Sequence, residues 1–282
     1  MIELFPLLFA TFAAPPVSSS APFLAAPAAA LQGEAETQDP PEIVDERPEI
    51  GALLERLAQH VKMKGKEDPQ AISTIDTLYG EFAKSGPKDR ASIVRELDKC
   101  FKVRRQELEE DVRDNRLHIA AAVALGGMAP ESVKVLIALV GQKNLRDDLT
   151  LQEKIVLSLG KTKDPAAVPT LLELLKHHEP RMVAAGAEAL GQFGHLEQKE
   201  RKGVFEDLLK TMMQAKGKVD ADPLDTISAE RYNTIVGPIV TTLKLLTGQE
   251  IRDPQEWQHW WNKNKKEDWD AGREASGGGA GG

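Results

Sequence analysis

The sequence predicts an all-α protein in which helix pairs stack into a solenoid, and three observations carry that reading. From Pro48 onward apolar residues recur at helical spacing, with no convincing period-2 strand. The stretches "RLHIAAAVALGGM", "LQEKIVLSLGKT" and "RMVAAGAEALGQF" share a Leu-Gly ending, whose glycines Gly126, Gly160 and Gly191 lie 34 and 31 residues apart. Behind the first two, "APESVKVLIALV" from Ala129 superposes on "DPAAVPTLLELL" from Asp164 at a shift of 35 residues. Pro130 falls on Pro165, Val133 on Val168, Leu136 on Leu171, Ile137 on Leu172 and Leu139 on Leu174. Such a period with two helices per unit marks a solenoid.

The chain has 282 residues, 41% hydrophobic and 28% charged, enough for one large domain or two small ones. Its net charge of −8 is concentrated at the start. Residues 1–48 hold Glu3, Glu34, Glu36, Asp39, Glu42, Asp45 and Glu46 against Arg47 alone, which leaves the body near neutral. A near-neutral body offers no general field for polyanions, so nucleic acid is not an expected partner. The single cysteine, Cys100, excludes an intrachain disulfide and a zinc site built mainly from cysteines.

The N-terminal apolar run "LFPLLFATFAA" is too short to span a bilayer as a stable helix. A Pro/Ala/Ser-rich stretch follows, and Ala28 and Ala30 stand in the small-x-small arrangement that precedes signal cleavage. The flank before the run carries Glu3 and no Lys or Arg. Residues 1–30 are therefore expected to be a signal peptide, with the mature chain starting near Leu31 outside the cytoplasm. Residues 31–47, acidic and Pro-containing, are expected to be a disordered linker.

Residues 48–110 read as an N-terminal helical region of degenerate repeats. "PEIGALLERLAQHV" opens on Pro48 in a first turn and repeats Ile50, Leu53, Leu54, Leu57 and Val61. "DPQAISTIDTLYGEFAK" starts from Asp68 as an N-cap and aligns Ile72, Ile75, Leu78 and Phe82. "PKDRASIVRELDKCFKV" aligns Ile93, Leu97, Cys100 and Phe101.

Residues 111–216 hold the repeats. "VAAGAEALGQFG", Val183 to Gly194, packs small residues into a helix, which fits an element wedged between neighbouring helices. Gly186 in mid-helix costs about 1 kcal/mol relative to Ala, so it implies a packing requirement. Leu190 reads as a core anchor and Gly191 as a left-handed helix end. A phosphate cradle is excluded because no strand precedes and no Lys-Ser/Thr follows.

The pattern Ser158-Leu159-Gly160, Asp164-Pro165, Val168-Pro169 and Leu171 to Leu175 resembles HEAT-type repeats, of the short bacterial kind found also in phycobilin-lyase-like proteins. The resemblance extends over Asp114 to Met213 and implies a scaffold rather than a reaction.

Residues 217–268 are expected to form C-terminal helices and a cap. The third unit stretches its second helix, and a polar loop, "VDADPLDTISAE", follows. Pro238 should kink or break the last long helix near Gly237. The ending "LTGQ" followed by Asp253-Pro254, Trp257, Trp260 and Trp261 resembles the C-terminal end of exported bacterial HEAT-repeat proteins. Residues 269–282 read as a Gly-rich disordered tail.

No constellation singles out catalysis. His178-Glu179 resembles one His-Glu pair of HEAT-repeat di-iron hydroxylases, but the corresponding positions elsewhere hold no second pair, so no metal site is expected. Cys100 reads as a core thiol, and there is no Gly-x-Ser-x-Gly elbow. The basic clusters at 62–66, 102–106, 199–202 and 262–266 are local. Trp257, Trp260 and Trp261 share one helix stripe; they read as a cap over the open end of the stack, or else as an aromatic anchor for a partner. The chain is expected to be a non-enzymatic scaffold of four or five helix pairs that binds another protein through its curved surface, with no cofactor. The alternative is an enzyme or a prosthetic-group lyase or chaperone on the same scaffold.

Overall fold

A computed structural model of the chain describes residues 44–103, 107–109 and 112–271, with the side chains at 107–109, 112 and 113 left aside. The expected signal peptide at 1–30, the linker up to residue 43 and the Gly-rich stretch 272–282 lie outside the described residues.

Described are α1 (Pro48–Lys62), α2 (Asp68–Phe82), α3 (Pro87–Cys100), α4 (Arg116–Leu125), α5 (Val133–Leu139) and α6 (Leu149–Lys161). They are followed by α7 (Val168–Leu174), α8 (Pro180–Leu190), α9 (Gln198–Ala221), α10 (Thr226–Thr247) and α11 (Pro254–Asn264). Single 3₁₀ turns at Pro165–Ala167 and Gly191–Phe193 complete the helical part. One feature departs from uniform helicity: β1 (Glu107–Glu109) and β2 (Val112–Arg113) form a two-stranded antiparallel ribbon, with Glu107 opposite Arg113. The fold is all-α and solenoid-like.

Two rows of helices build it. In the first row α2, α4, α6, α8 and α10 pack successively on one another. In the second, α1, α3, α5, α7 and α9 each pack on the first-row helix that follows, making five pairs, and α11 lies against α9. The repeat period read from sequence is reproduced element by element: α5 and α7 start at Val133 and Val168 and end at Leu139 and Leu174.

Glycine sets the spacing of the first row. A Cβ on Gly126 would lie 3.0 Å from the Ser158 carbonyl oxygen of α6, and one on Gly160 would lie 2.7 Å from Ala189 Cβ of α8. One on Gly191 would lie 3.0 Å from Thr242 Oγ1 of α10. The expected left-handed conformation of Gly191 is not adopted: its φ is −62°, and a 3₁₀ turn continues the helix. Gly191 is small because α10 is close. Gly186 faces the other row, where a Cβ would meet Leu174 Cβ at 2.9 Å.

Three further expectations change. Asp68 is not an N-cap; it lies in the first turn of α2, fully buried, with Glu67 at the cap position. Pro238 does not break α10, which runs unbroken past it. Ile235, Ile239, Leu243 and Leu246 are buried before and after the proline, and packing on α8 and α9 carries the helix across the missing N–H. Val44 to Arg47, read as the end of the linker, are tied to α3. Asp45 Oδ1 accepts from the amides of Lys88 and Asp89, and the Asp89 carboxylate accepts from those of Glu46 and Arg47.

Candidate functional site

Between α7 and α9, two neighbours of the second row, runs a groove of about 680 Å³. One wall is a stripe along α9 comprising Asp207, Lys210, Thr211, Gln214, Ala215 and Lys218, which helical periodicity places on one face. Pro169 and Leu172 of α7 contribute apolar surface, above the buried Leu175 and Ala215. Lys176 pairs with Glu173 at 2.9 Å, an exposed contact that adds little stability.

Arg231, from the start of α10, closes one end. Its guanidinium donates to the carbonyl oxygens of His178 and His177 at 2.6 and 2.9 Å, the turn that links α7 to α8. These bonds hold the side chain in place yet leave its charge uncancelled. Partial burial, the stacked ring of His178 at 4.4 Å and the Arg231 charge together push the His177 imidazole below its ordinary range.

His178-Glu179 is used for local structure. His177 Nδ1 accepts from the Glu179 amide, and the Glu179 carboxylate caps α8 by accepting from the Arg181 amide. Among the described residues no group of three or more His, Cys, Asp and Glu side chains is placed to hold a metal ion. Cys100 is buried in the core, where loss of solvation pushes its thiol up to about 12.

The tryptophans surround Phe205 of α9. Its ring centroid lies 5.7 Å from that of Trp257, 5.5 Å from Trp260, 5.0 Å from Trp261 and 5.5 Å from Trp269. Trp257 is fully buried, and its indole N–H has no hydrogen-bond partner among the described residues. Trp261 is nearly buried and Trp260 half-buried. Residues 269–271, read as part of the tail, belong to this cluster's fastening. Asp270 pairs with the buried Arg201, which also donates to the carbonyls of Leu196 and Leu246. Lys202 sits 5.3 Å from the Trp269 ring centroid.

Sequence reading missed the groove. Its cations come from the turn after α7, from α9 and from α10, whereas the local basic clusters lie elsewhere; Lys202, for instance, serves the tryptophan cluster. The one available signal was the helical spacing of Asp207, Lys210, Gln214 and Lys218 within α9. A second surface, on the first row, exposes Tyr79 and Val123 over a shallow cavity of about 440 Å³ bordered by Arg116 and Lys161. No helix among the described residues is long and apolar enough to cross a membrane.

The family model described as HEAT repeats matches residues 142–211, a span that covers α6 to α8 and the first half of α9. No curated protein and no solved structure matches the chain. HEAT repeats generally serve as scaffolds for protein interaction. The period, the helix pairs and the family match agree, and residues 142–211 of the chain are similar to HEAT repeats.

Proposed function

We propose that the protein is a non-catalytic scaffold that holds a partner protein in the groove between α7 and α9. The groove is the observation that carries this reading. It joins apolar surface to a charged rim, the composition of a protein interface, and it lies between two consecutive repeats, where solenoids present binding surface. The partner is met outside the cytoplasm, a reading supported by the apolar run at Leu4 to Ala14 and the small residues before Leu31. In this reading the tryptophan cluster closes the C-terminal end of the stack and leaves binding to the groove.

The test is capture from native extract by the immobilised full chain, beside a Gln214→Trp variant that fills the groove from an exposed position. A protein retained by the wild type and lost with the variant, at equal melting temperature, is the expected result. Retention of the same protein by both would move the docking site elsewhere. A chain that retains no protein but copurifies with a chromophore or metal would replace the scaffold reading with the prosthetic-group one.

A further inference from the structure

The charge balance of the groove specifies its occupant more closely, on the basis of the scaffold reading above. Lys176 is answered by Glu173 and also feels Asp207. Lys210, Lys218 and Arg231 form no ion pair among the described residues, so the rim carries excess positive charge. Asp225, whose carboxylate feels Lys218, is already held by the amides of Ile227 and Ser228 at the start of α10. Arg231 is also fixed in advance by the two backbone carbonyls, which lowers the ordering cost of engaging an anion.

Dimensions narrow the choice further. The stripe from Asp207 to Lys218 rises about 17 Å along the α9 axis at about 1.5 Å per residue. Five extended residues at about 3.3 Å each cover the same length, with side chains alternating between two faces. One face would meet Pro169 and Leu172, the other the cations. A nucleic acid fits less well, because Glu173 and Asp207 would face its continuous phosphate charge and the apolar surface would go unused.

We propose that this groove binds an extended acidic segment of a partner protein, about five residues long, in which carboxylates alternate with apolar side chains. The carboxylates pair with Lys210, Lys218 and Arg231, and the apolar side chains rest on Pro169 and Leu172. The chain's own acidic stretch, with Glu34, Glu36, Asp39 and Glu42, is the competing occupant.

The experiment is fluorescence anisotropy of the full chain with a fluorescein-labelled pentapeptide of alternating glutamate and leucine. Saturable binding that weakens with added salt is expected. The double variant Lys210→Glu/Lys218→Glu, changed at two exposed positions, should bind at least tenfold more weakly with an unchanged melting temperature. It should also gain affinity for the lysine–leucine counterpart. Equal binding by the wild type and the double variant would overturn the proposal, as would tighter binding of a labelled twelve-residue oligothymidylate with the same lysine dependence. A quadruple variant, Glu34→Gln/Glu36→Gln/Asp39→Asn/Glu42→Gln, should bind the peptide as the wild type does. A tenfold gain there would assign the groove to the chain's own segment and overturn the partner. If the pentapeptide fails to bind while Gln214→Trp still abolishes capture from extract, the acidic chemistry falls and the scaffold reading stands.

Discussion

Gly160 of α6 faces Ala189 of α8 with no room for a methyl group between them, since a Cβ on Gly160 would lie 2.7 Å from Ala189 Cβ and 2.8 Å from its Cα. The obstacle includes backbone, which cannot swing aside as a long side chain can. Gly160→Ala should therefore force the two helices apart and cost roughly 1–3 kcal/mol. Gly203→Ala in α9 is the control, because among the described residues nothing lies within 4 Å of the added Cβ. It should be neutral or stabilising by up to about 1 kcal/mol through helix propensity and a less flexible unfolded chain. Chemical denaturation of both variants checks the pair. Gly186→Leu should be destabilising for the same reason as Gly160→Ala, against Leu174 of the other row.

Asp45 and Asp89 cap each other's segments, so neither carboxylate acts alone. Asp89→Ala frees the amides of Glu46 and Arg47 at the start of α1, and Asp45→Ala those of Lys88 and Asp89 at the start of α3. Each should cost about 1 kcal/mol, as a lost helix cap does. The double variant should cost less than the sum, because either change alone loosens the same junction. Additive losses in a thermal double-mutant cycle would show the two caps to be independent.

Trp257→Ala should cost about 3–5 kcal/mol with no partner present, because it removes a fully buried indole from the Phe205 cluster. Loss should start locally, with faster amide exchange in α11 and α9 before the central repeats. A normal unfolding midpoint would mean that the cluster does not secure this end.

Cys100 should resist disulfide-exchange reagents at pH 8 in the folded chain and react at once on denaturation. Burial raises its thiol from 9.0 to about 12, so the folded state favours the neutral form. The sign follows from that. This group's stabilising contribution is fully present below pH 9, the unfolded value, and is lost as pH rises towards 12. Unfolding midpoints should fall over that alkaline window in the wild type and fall less in Cys100→Ala.

N-terminal sequencing of native protein should return a start near Leu31. A start at Met1 or Ile2 would refute cleavage and remove the support for export.

What the sequence determined by itself was the periodic part of the molecule. Helical spacing fixed which side chains turn inward, and the 35-residue shift aligned α5 with α7 to the residue, although both helices start four residues later than the repeated segments do. The alignment holds because a solenoid repeats one local packing problem and each unit writes the same answer into its own residues. The buried tryptophan stripe was legible for that reason too: spacing puts Trp257 and Trp261 on one helix face wherever that helix docks. Only the tertiary structure decided what depends on residues distant in the chain. Gly191 looks the same in sequence whether it ends a helix or admits Thr242, and the approach of α10 decides between them. The Asp45–Asp89 exchange and the Arg201–Asp270 pair join segments about 40 and 70 residues apart, and both hold in place residues whose composition reads as disorder. The groove belongs to the same class. Lys210, Lys218 and Arg231 become one charged rim only when α9 and α10 are laid beside α7, since electrostatic fields sum over space and not along the chain.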